Sequence, residues 1–258
     1  MSTVRLEREG AVARVVLDRP AQLNAISPEL LHDLDAVCAN IEADADVRAM
    51  TLTGAGRAFC AGADLRVVQE LAPDPERWRA FMDLWHRVFD RIERLPLPVV
   101  AGVHGLALAG GLELTLVCDL VVADEEARLG DQHVNFALVA GGGGSQRLPR
   151  LIGTRRAKEL MLLGGSIDAR QALGWGLVNR VAPADTVEET TLALARELEG
   201  KSKAASRTAK ALVYRGLDLD LRTGLELEKR LVAEHMRTDD AQAGLRAFAE
   251  RRRGRDRS

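Results

Sequence analysis

The chain has 258 residues, of which 47% are hydrophobic and 29% are charged, and its formal net charge is −2. This length and composition indicate one large globular domain, or one domain with a helical appendage, and they exclude intrinsic disorder. Because the charge is nearly balanced, we expect neither nucleic acid nor a membrane surface as a partner.

The first hundred residues alternate between predicted strands and helices. A β-hairpin is predicted for residues 4–8 and 12–17, with its turn at Glu9-Gly10. A helix begins at Ser27-Pro28-Glu29, where a capping hydroxyl precedes a proline and an acid. A short strand around Met50 and Leu52, a helix from about residue 76 to 95 and a buried strand over 99–103 follow.

The middle of the chain continues the alternation, and the end does not. A helix is predicted from about Gly110 to Cys118 and a strand from about Asp119 to Ala123. This order of strand, loop, helix and strand indicates an α/β fold with parallel pairing. The last 75 residues show no convincing strand and are predicted to form three helices. Their clearest apolar stripe is Leu221, Leu225, Val232 and Met236. The arginine-rich segment 251–255 is predicted to be a solvated tail.

Three glycine-rich stretches, residues 59–65, 104–113 and 140–147, each precede a predicted helix. None fits the dinucleotide-binding or P-loop patterns. Glycines at such places often serve only tight turns and close packing. Two separate stretches that each deliver a backbone N–H at a helix start nevertheless suggest an anion or oxyanion site.

Several motifs, in order along nearly the whole chain, resemble those of the crotonase (enoyl-CoA hydratase/isomerase) family. They are Leu23-Asn24-Ala25, residues 58–65, residues 98–111 with Glu113, and residues 143–148, 172–178 and 247–252. The resemblance implies an α/β crotonase-like spiral of ββα units with a C-terminal helical trimerisation region. It places a core with a site for a coenzyme A ester in residues 1–195 and a helical oligomerisation region in 196–258. It also implies an acyl-CoA substrate, no cofactor beyond the coenzyme A that the substrate carries, and a homotrimer or homohexamer.

The resemblance also implies roles for individual residues. The backbone N–H groups of Ala63 and Gly110 match the pair that receives the thioester oxygen, and Glu113 matches the glutamate that activates water in hydratases. Glu113 also follows Gly110 by one turn within an apolar segment, where burial would suit its carboxyl to proton transfer. Substrate or coenzyme A contacts are expected from Asn24, Ala25, Arg57, Ala61, Gly62, Asp64, Leu65, Arg66, Leu108 and Gly111.

His133 departs from the family pattern. Hydratases carry a second glutamate twenty residues after the first, and this chain has a histidine there. A histidine moves protons near neutral pH, so we predict that His133 is a catalytic partner of Glu113. Two other interpretations stay open, namely recognition of a polar group on an unusual substrate and a lost catalytic role. The family's isomerases keep the second glutamate and often lack the first, which makes a hydratase the better match.

Three functions follow from these residues. The first is an enzyme that adds water to an enoyl-CoA or removes it. The second is a crotonase-fold enzyme of another reaction type, a decarboxylase, hydrolase or carbon–carbon lyase, that uses Glu113 and His133. The third is a non-catalytic acyl-CoA-binding paralogue. The scattered histidines predict no metal site, and the widely spaced cysteines, Cys38, Cys60 and Cys118, favour a reducing, cytoplasmic location.

Overall fold

The computed structural model describes residues 2–183 and 185–255. Its strands are β1 (Val4–Glu9), β2 (Val12–Leu17), β3 (Ala49–Gly54), β4 (Val99–Val103), β5 (Leu106–Leu108), β6 (Leu120–Asp124), β7 (Arg128–Gly130), β8 (Ser166–Asp168) and β9 (Arg180–Ala182). Its helices are α1 (Pro28–Ala43), α2 (Leu65–Leu71), α3 (Pro75–Arg94), α4 (Gly110–Thr115), α5 (Gly144–Ile152), α6 (Thr154–Leu163), α7 (Ala169–Trp175), α8 (Val187–Glu199), α9 (Lys203–Leu217), α10 (Leu221–His235) and α11 (Asp239–Arg255). Short 3-10 helices cover Pro20–Gln22 and His133–Phe136.

In the described chain the strands form two sheets. The larger has the order β1-β2-β3-β4-β6-β9, and only its first pair is antiparallel. The smaller has the order β5-β7-β8, with β5 and β7 parallel. Helices connect the parallel strands, as a parallel pair requires. The predicted α/β fold with parallel pairing is therefore confirmed.

The first part of the chain follows the sequence closely. Ser27 caps α1 through its side chain, which accepts a hydrogen bond from the N–H of Leu30. Asp74 caps α3, whose buried face carries Phe81, Trp85 and Phe89. These helices, α1 and α3, pack against each other beside the larger sheet and carry the main hydrophobic core.

Two sequence expectations need correction. The three-residue strands β5, β7, β8 and β9 were not predicted, because so short a segment shows no alternating pattern. The described part of the last 75 residues contains four helices instead of three. The break between α8 and α9 comes at Ser202, whose side chain caps α9 by accepting from the N–H of Ala205.

The predicted boundary between residues 195 and 196 falls inside α8. Val187, Leu194 and Ala195 of this helix are buried against β2, β3, β4 and β6 in a second core cluster. Helix α8 therefore packs as part of the core, and the next helix, α9, begins at residue 203. Helices α9, α10 and α11 then pack mainly on one another. The side chains of the arginine-rich segment 251–255 lie outside the described residues, so the predicted solvated tail is not tested.

None of the helices in the described ranges is both long enough and apolar enough to cross a membrane.

Candidate active site

Glu113 lies in the short helix α4, and its side chain is 1% exposed. One carboxyl oxygen, Oε1, accepts a hydrogen bond of 2.8 Å from the N–H of Gly144, the first residue of α5. The other oxygen, Oε2, accepts no hydrogen bond within the described part of the chain. The carboxyl group is thus anchored at a helix N-terminus by one oxygen, and the other lies beside the backbone of Gly142.

Burial raises the pKa of the Glu113 carboxyl above its ordinary value, because the charged form loses its hydration. The N–H of Gly144 and the nearby charge of His133 lower it again in part. Leu112 and Leu114 are buried on either side of the residue. A buried carboxyl group with a raised pKa is suited to accept and return a proton.

His133 opens the 3-10 helix that follows β7, and its side chain is 12% exposed. Its Nδ1 lies 2.9 Å from Oδ1 of Asp131, which is itself buried. With Nδ1 engaged by Asp131, the second ring nitrogen, Nε2, is the one left for other partners. Burial favours the neutral ring, but the hydrogen bond to Asp131 and the charges of Asp131 and Glu113 outweigh it and raise the pKa of His133.

The structure brings the first two glycine-rich stretches side by side. Cys60 pairs with Ala107 in a parallel bridge, so Ala63 and Gly110, each three residues further on, lie at the same end of the two segments. A Cβ atom placed on Gly62 would lie 3.4 Å from the Gly110 nitrogen. The two predicted oxyanion loops are therefore in contact.

Both predicted oxyanion amides are turned away from secondary-structure partners. The N–H of Ile26 donates to the carbonyl of Gly62, and the carbonyl of Ile26 accepts from the N–H of Asp64. The N–H of Ala63, which lies between these two residues, therefore faces the opposite side. Gly110 is the first residue of α4, where a backbone N–H has no partner within the helix. Ala109 precedes it with φ of 50° and ψ of −116°, a backbone conformation that strains any residue with a Cβ atom. Strain of this kind often accompanies functional loops.

Trp85 reaches the same site from α3. Its ring is 4% exposed and makes edge contacts with Phe81 and Phe89, at centroid distances of 5.4 and 5.7 Å. A Cβ atom on Gly110 would lie 2.7 Å from the Trp85 ring, so this glycine is needed for close packing. Trp85 and Phe89 belong to the buried face of α3, whereas His86 is exposed.

Two of the predicted substrate contacts, Asn24 and Asp64, have partners within the chain. Asn24 is fully buried, and its side-chain NH2 donates to the carbonyls of Ala55 and Ala58 at 2.9 and 2.8 Å. Asp64 caps α2 and forms an ion pair of 2.9 Å with Arg19, whose guanidinium also donates to the carbonyl of Ala25. Through these contacts both side chains hold the loop in place.

The other predicted contacts border the loops. Ala61 and Leu108 are partly exposed, and Leu65 is exposed. Gly62 and Gly111 are buried at close backbone contacts, because a Cβ atom on Gly111 would collide with the Cys60 carbonyl. Arg57 and Arg66 are exposed, and among the described residues neither has an acidic side chain within 4.0 Å of its guanidinium. Both remain free to meet phosphate groups.

Cys60 lies beside the site but is completely buried, and burial raises the pKa of its thiol to about 12. It is therefore a packing residue and no nucleophile. Within residues 2–183 and 185–255, no three His, Cys, Asp or Glu side chains are grouped as a metal site needs.

Sequence reasoning missed two features of this site. It did not pair Asp131 with His133, although the spacing Asp131-x-His133 allows a direct side-chain contact. It also missed that the indole nitrogen of Trp85 faces the site, for which the sequence offers no signal.

Residues 7–255 match the profile of a family described as enoyl-CoA hydratase/isomerase. A short-chain-enoyl-CoA hydratase of Clostridium acetobutylicum is 37% identical, over 98% of this chain and 97% of the relative. A putative enoyl-CoA hydratase/isomerase of Bacillus subtilis, YngF, is 41% identical over 94% of this chain and 93% of its own length. The crystal structure of an enoyl-CoA hydratase from Bacillus anthracis superposes with a TM-score of 0.91 at 38% identity, and 96% of each chain is covered.

Proposed function

The chain belongs to the enoyl-CoA hydratase/isomerase family, and on this premise we propose that it is a hydro-lyase that uses Glu113 and His133 on an acyl-CoA substrate. An enoyl-CoA hydratase-like function is supported by relatives of nearly equal length. The observation that carries the assignment of the acid–base groups is the buried Glu113 carboxyl, with one oxygen anchored and the other free.

In the hydration direction, Glu113 acts as the base. Its free oxygen takes one proton from water, and the water oxygen forms a bond to the β-carbon of the enoyl thioester. The electron pair of the carbon–carbon double bond moves toward the thioester, so negative charge develops on the carbonyl oxygen. The fixed Oε1 contact to Gly144 holds the carboxylate in one orientation throughout this step.

The amides of Ala63 and Gly110 are proposed to receive this oxygen. Both N–H groups belong to adjoining loops, and both are free of secondary-structure partners. One such preorganised donor is typically worth about 3–4 kcal/mol in the transition state. The positive end of α4 favours the same negative charge, although the helix is short.

His133 then completes the reaction as an acid. Its protonated ring donates a proton to the α-carbon of the enolate, which gives the 3-hydroxyacyl thioester, and Asp131 stabilises the charged ring. Glu113 has gained a proton and His133 has lost one, so a proton exchange with solvent restores the starting state. The raised pKa of His133 keeps the cation available near neutral pH.

A second function is favoured by the same histidine. The His133–Asp131 pair differs from the two-carboxylate arrangement that the resemblance implies for ordinary hydratases. A cationic ring there also fits a carboxylate or a second carbonyl on the acyl group, as a decarboxylase, hydrolase or carbon–carbon lyase would need. Exposed Arg57 and Arg66 would bind the coenzyme A phosphates in either case.

The experiment that separates these functions is product analysis by mass. We expect crotonyl-CoA to gain one water on incubation with the enzyme, and 3-hydroxybutyryl-CoA to lose one. Loss of carbon dioxide from a carboxylated acyl-CoA, or release of free coenzyme A, would favour the second function. Tight binding of every ester without any change in mass would contradict both and indicate a non-catalytic paralogue.

We further propose that the chain assembles as a homotrimer or homohexamer through α9–α11. These helices leave large apolar side chains exposed, among them Leu217, Leu221, Val232 and Phe248, with exposed fractions of 72, 79, 44 and 67%. Leu227 is the one buried residue of α10. So much exposed apolar surface on one region is unusual for a monomer.

Light scattering at micromolar concentration should therefore give three or six times the chain mass of 28.0 kDa. Replacement of Leu221 by Glu should shift the mass toward the monomer, because it places a charge in the apolar contact. The same change at exposed Leu65, outside this region, should leave the mass unaltered. A wild-type chain that scatters as a monomer would contradict the proposal.

A further inference from the structure

The indole N–H of Trp85 is a buried donor without a partner. Within the described residues, the buried side-chain polar atoms that lack hydrogen bonds are Trp85 Nε1, Glu113 Oε2 and His235 Nδ1. Trp85 Nε1 belongs to a residue that is 4% exposed. A buried indole N–H normally finds an acceptor, because leaving it unpaired is costly.

The Trp85 donor and the Glu113 acceptor border the same space. A Cβ atom on Gly142 would lie 2.6 Å from Trp85 Nε1 and 2.7 Å from Glu113 Oε2. Such a Cβ atom would collide with both, so residue 142 must be a glycine, whose backbone lies against the two atoms. A donor and an acceptor on one small space suit a group that accepts from the first and donates to the second. A water molecule or a hydroxyl group has this chemistry.

Packing alone does not explain the tryptophan. The ring is held by Phe81 and Phe89, and its six-membered edge packs on Gly110. A phenylalanine at position 85 would keep most of this apolar contact without a buried N–H. The indole nitrogen is the part of the Trp85 side chain that has no partner among the described core residues.

Resting on the proposed function, we infer that Trp85 Nε1–H binds the oxygen that is added to, or removed from, the β-carbon of the acyl group. In hydration, the water oxygen accepts from Trp85 with one lone pair and attacks the β-carbon with the other, while Glu113 Oε2 takes its proton. In dehydration, the 3-hydroxyl oxygen accepts from Trp85 as its bond to carbon breaks, and Glu113 returns the proton. Trp85 therefore makes the site selective for a 3-hydroxyacyl thioester over a saturated one.

The inference is tested by comparing the affinities of two ligands that differ by this one oxygen, so that the readout does not depend on turnover. Binding of 3-hydroxybutyryl-CoA and butyryl-CoA is measured by calorimetry in wild type and Trp85→Phe, under conditions where the hydroxy ester stays intact. Loss of one hydrogen bond should weaken binding of the hydroxy ester by about tenfold and leave the butyryl ester within about twofold. Trp78→Phe is the matched control, because Trp78 lies on the same helix and contacts Phe81 from a partly exposed position. It should change neither affinity.

An equal loss of affinity for both esters in Trp85→Phe would show that the ring acts by packing alone, and an unchanged preference would also overturn the inference. If that variant does not fold, proton NMR of the wild type decides, since the chain has three tryptophans. The Trp85 indole proton should move downfield with 3-hydroxybutyryl-CoA and not with butyryl-CoA. A wild type that binds neither ester would instead overturn the proposed function itself.

Discussion

Replacement of Glu113 by Gln should lower turnover by about 10²–10⁴-fold while binding of the acyl-CoA is retained. The glutamine carbonyl can still accept the N–H of Gly144, so the side chain keeps its anchor. Its amide group cannot take a proton from water, and this removes the base. Steady-state kinetics with crotonyl-CoA, together with calorimetric binding of butyryl-CoA, separates the two effects.

The variant should also fold at least as well as the wild type at neutral pH. Because burial raises the pKa of Glu113, its ionised form destabilises the folded state as the pH rises above the unfolded value of 4.5. Glutamine carries no charge and escapes this cost. Glu70→Gln, on the exposed surface of α2 beside Arg77, is the matched control and should keep the wild-type rate. A folded Glu113→Gln enzyme with unchanged turnover would refute the assignment.

Replacement of His133 by Gln should remove one of the two ionisations in the pH profile and lower turnover by about 10²-fold. In the wild type, Glu113 must be ionised and His133 protonated. The rate should therefore fall at acid pH through a pKa above 4.5 and at alkaline pH through a pKa above 6.5, since both values are raised. The glutamine variant should retain the acid limb and lose the alkaline one.

The measurement is kcat against pH for the wild type and His133→Gln. Exposed His86, on α3, provides the control, because His86→Gln should leave both limbs in place. An alkaline limb that persists in His133→Gln would assign that ionisation to another group. A variant with full activity at every pH would show that position 133 carries no chemistry.

Local sequence patterns determined much of this fold. The capping residue Ser27 lies where the structure begins α1, the helix predicted from about residue 76 is α3, and the buried run at 99–103 is strand β4. Glu113 was singled out because it follows a glycine-rich turn within an apolar segment, and it is buried there. These features depend on residues within a turn or two of one another, so periodicity and composition suffice to find them. The strands of three residues were missed, because they are defined by their partners and have no pattern of their own.

The tertiary structure decided what the site residues contact. Sequence position does not reveal that Gly144 holds Glu113 from 31 residues away, or that Asn24 donates its side-chain amide to the carbonyls of Ala55 and Ala58. It also does not reveal that Trp85 and Gly142 meet at the free oxygen of Glu113. Such contacts join segments that only the folded sheets and helices bring together, and their distances depend on the packing of the whole core. The sequence therefore determined which groups are available for chemistry, and the fold determined which of them are already engaged and which remain free to react.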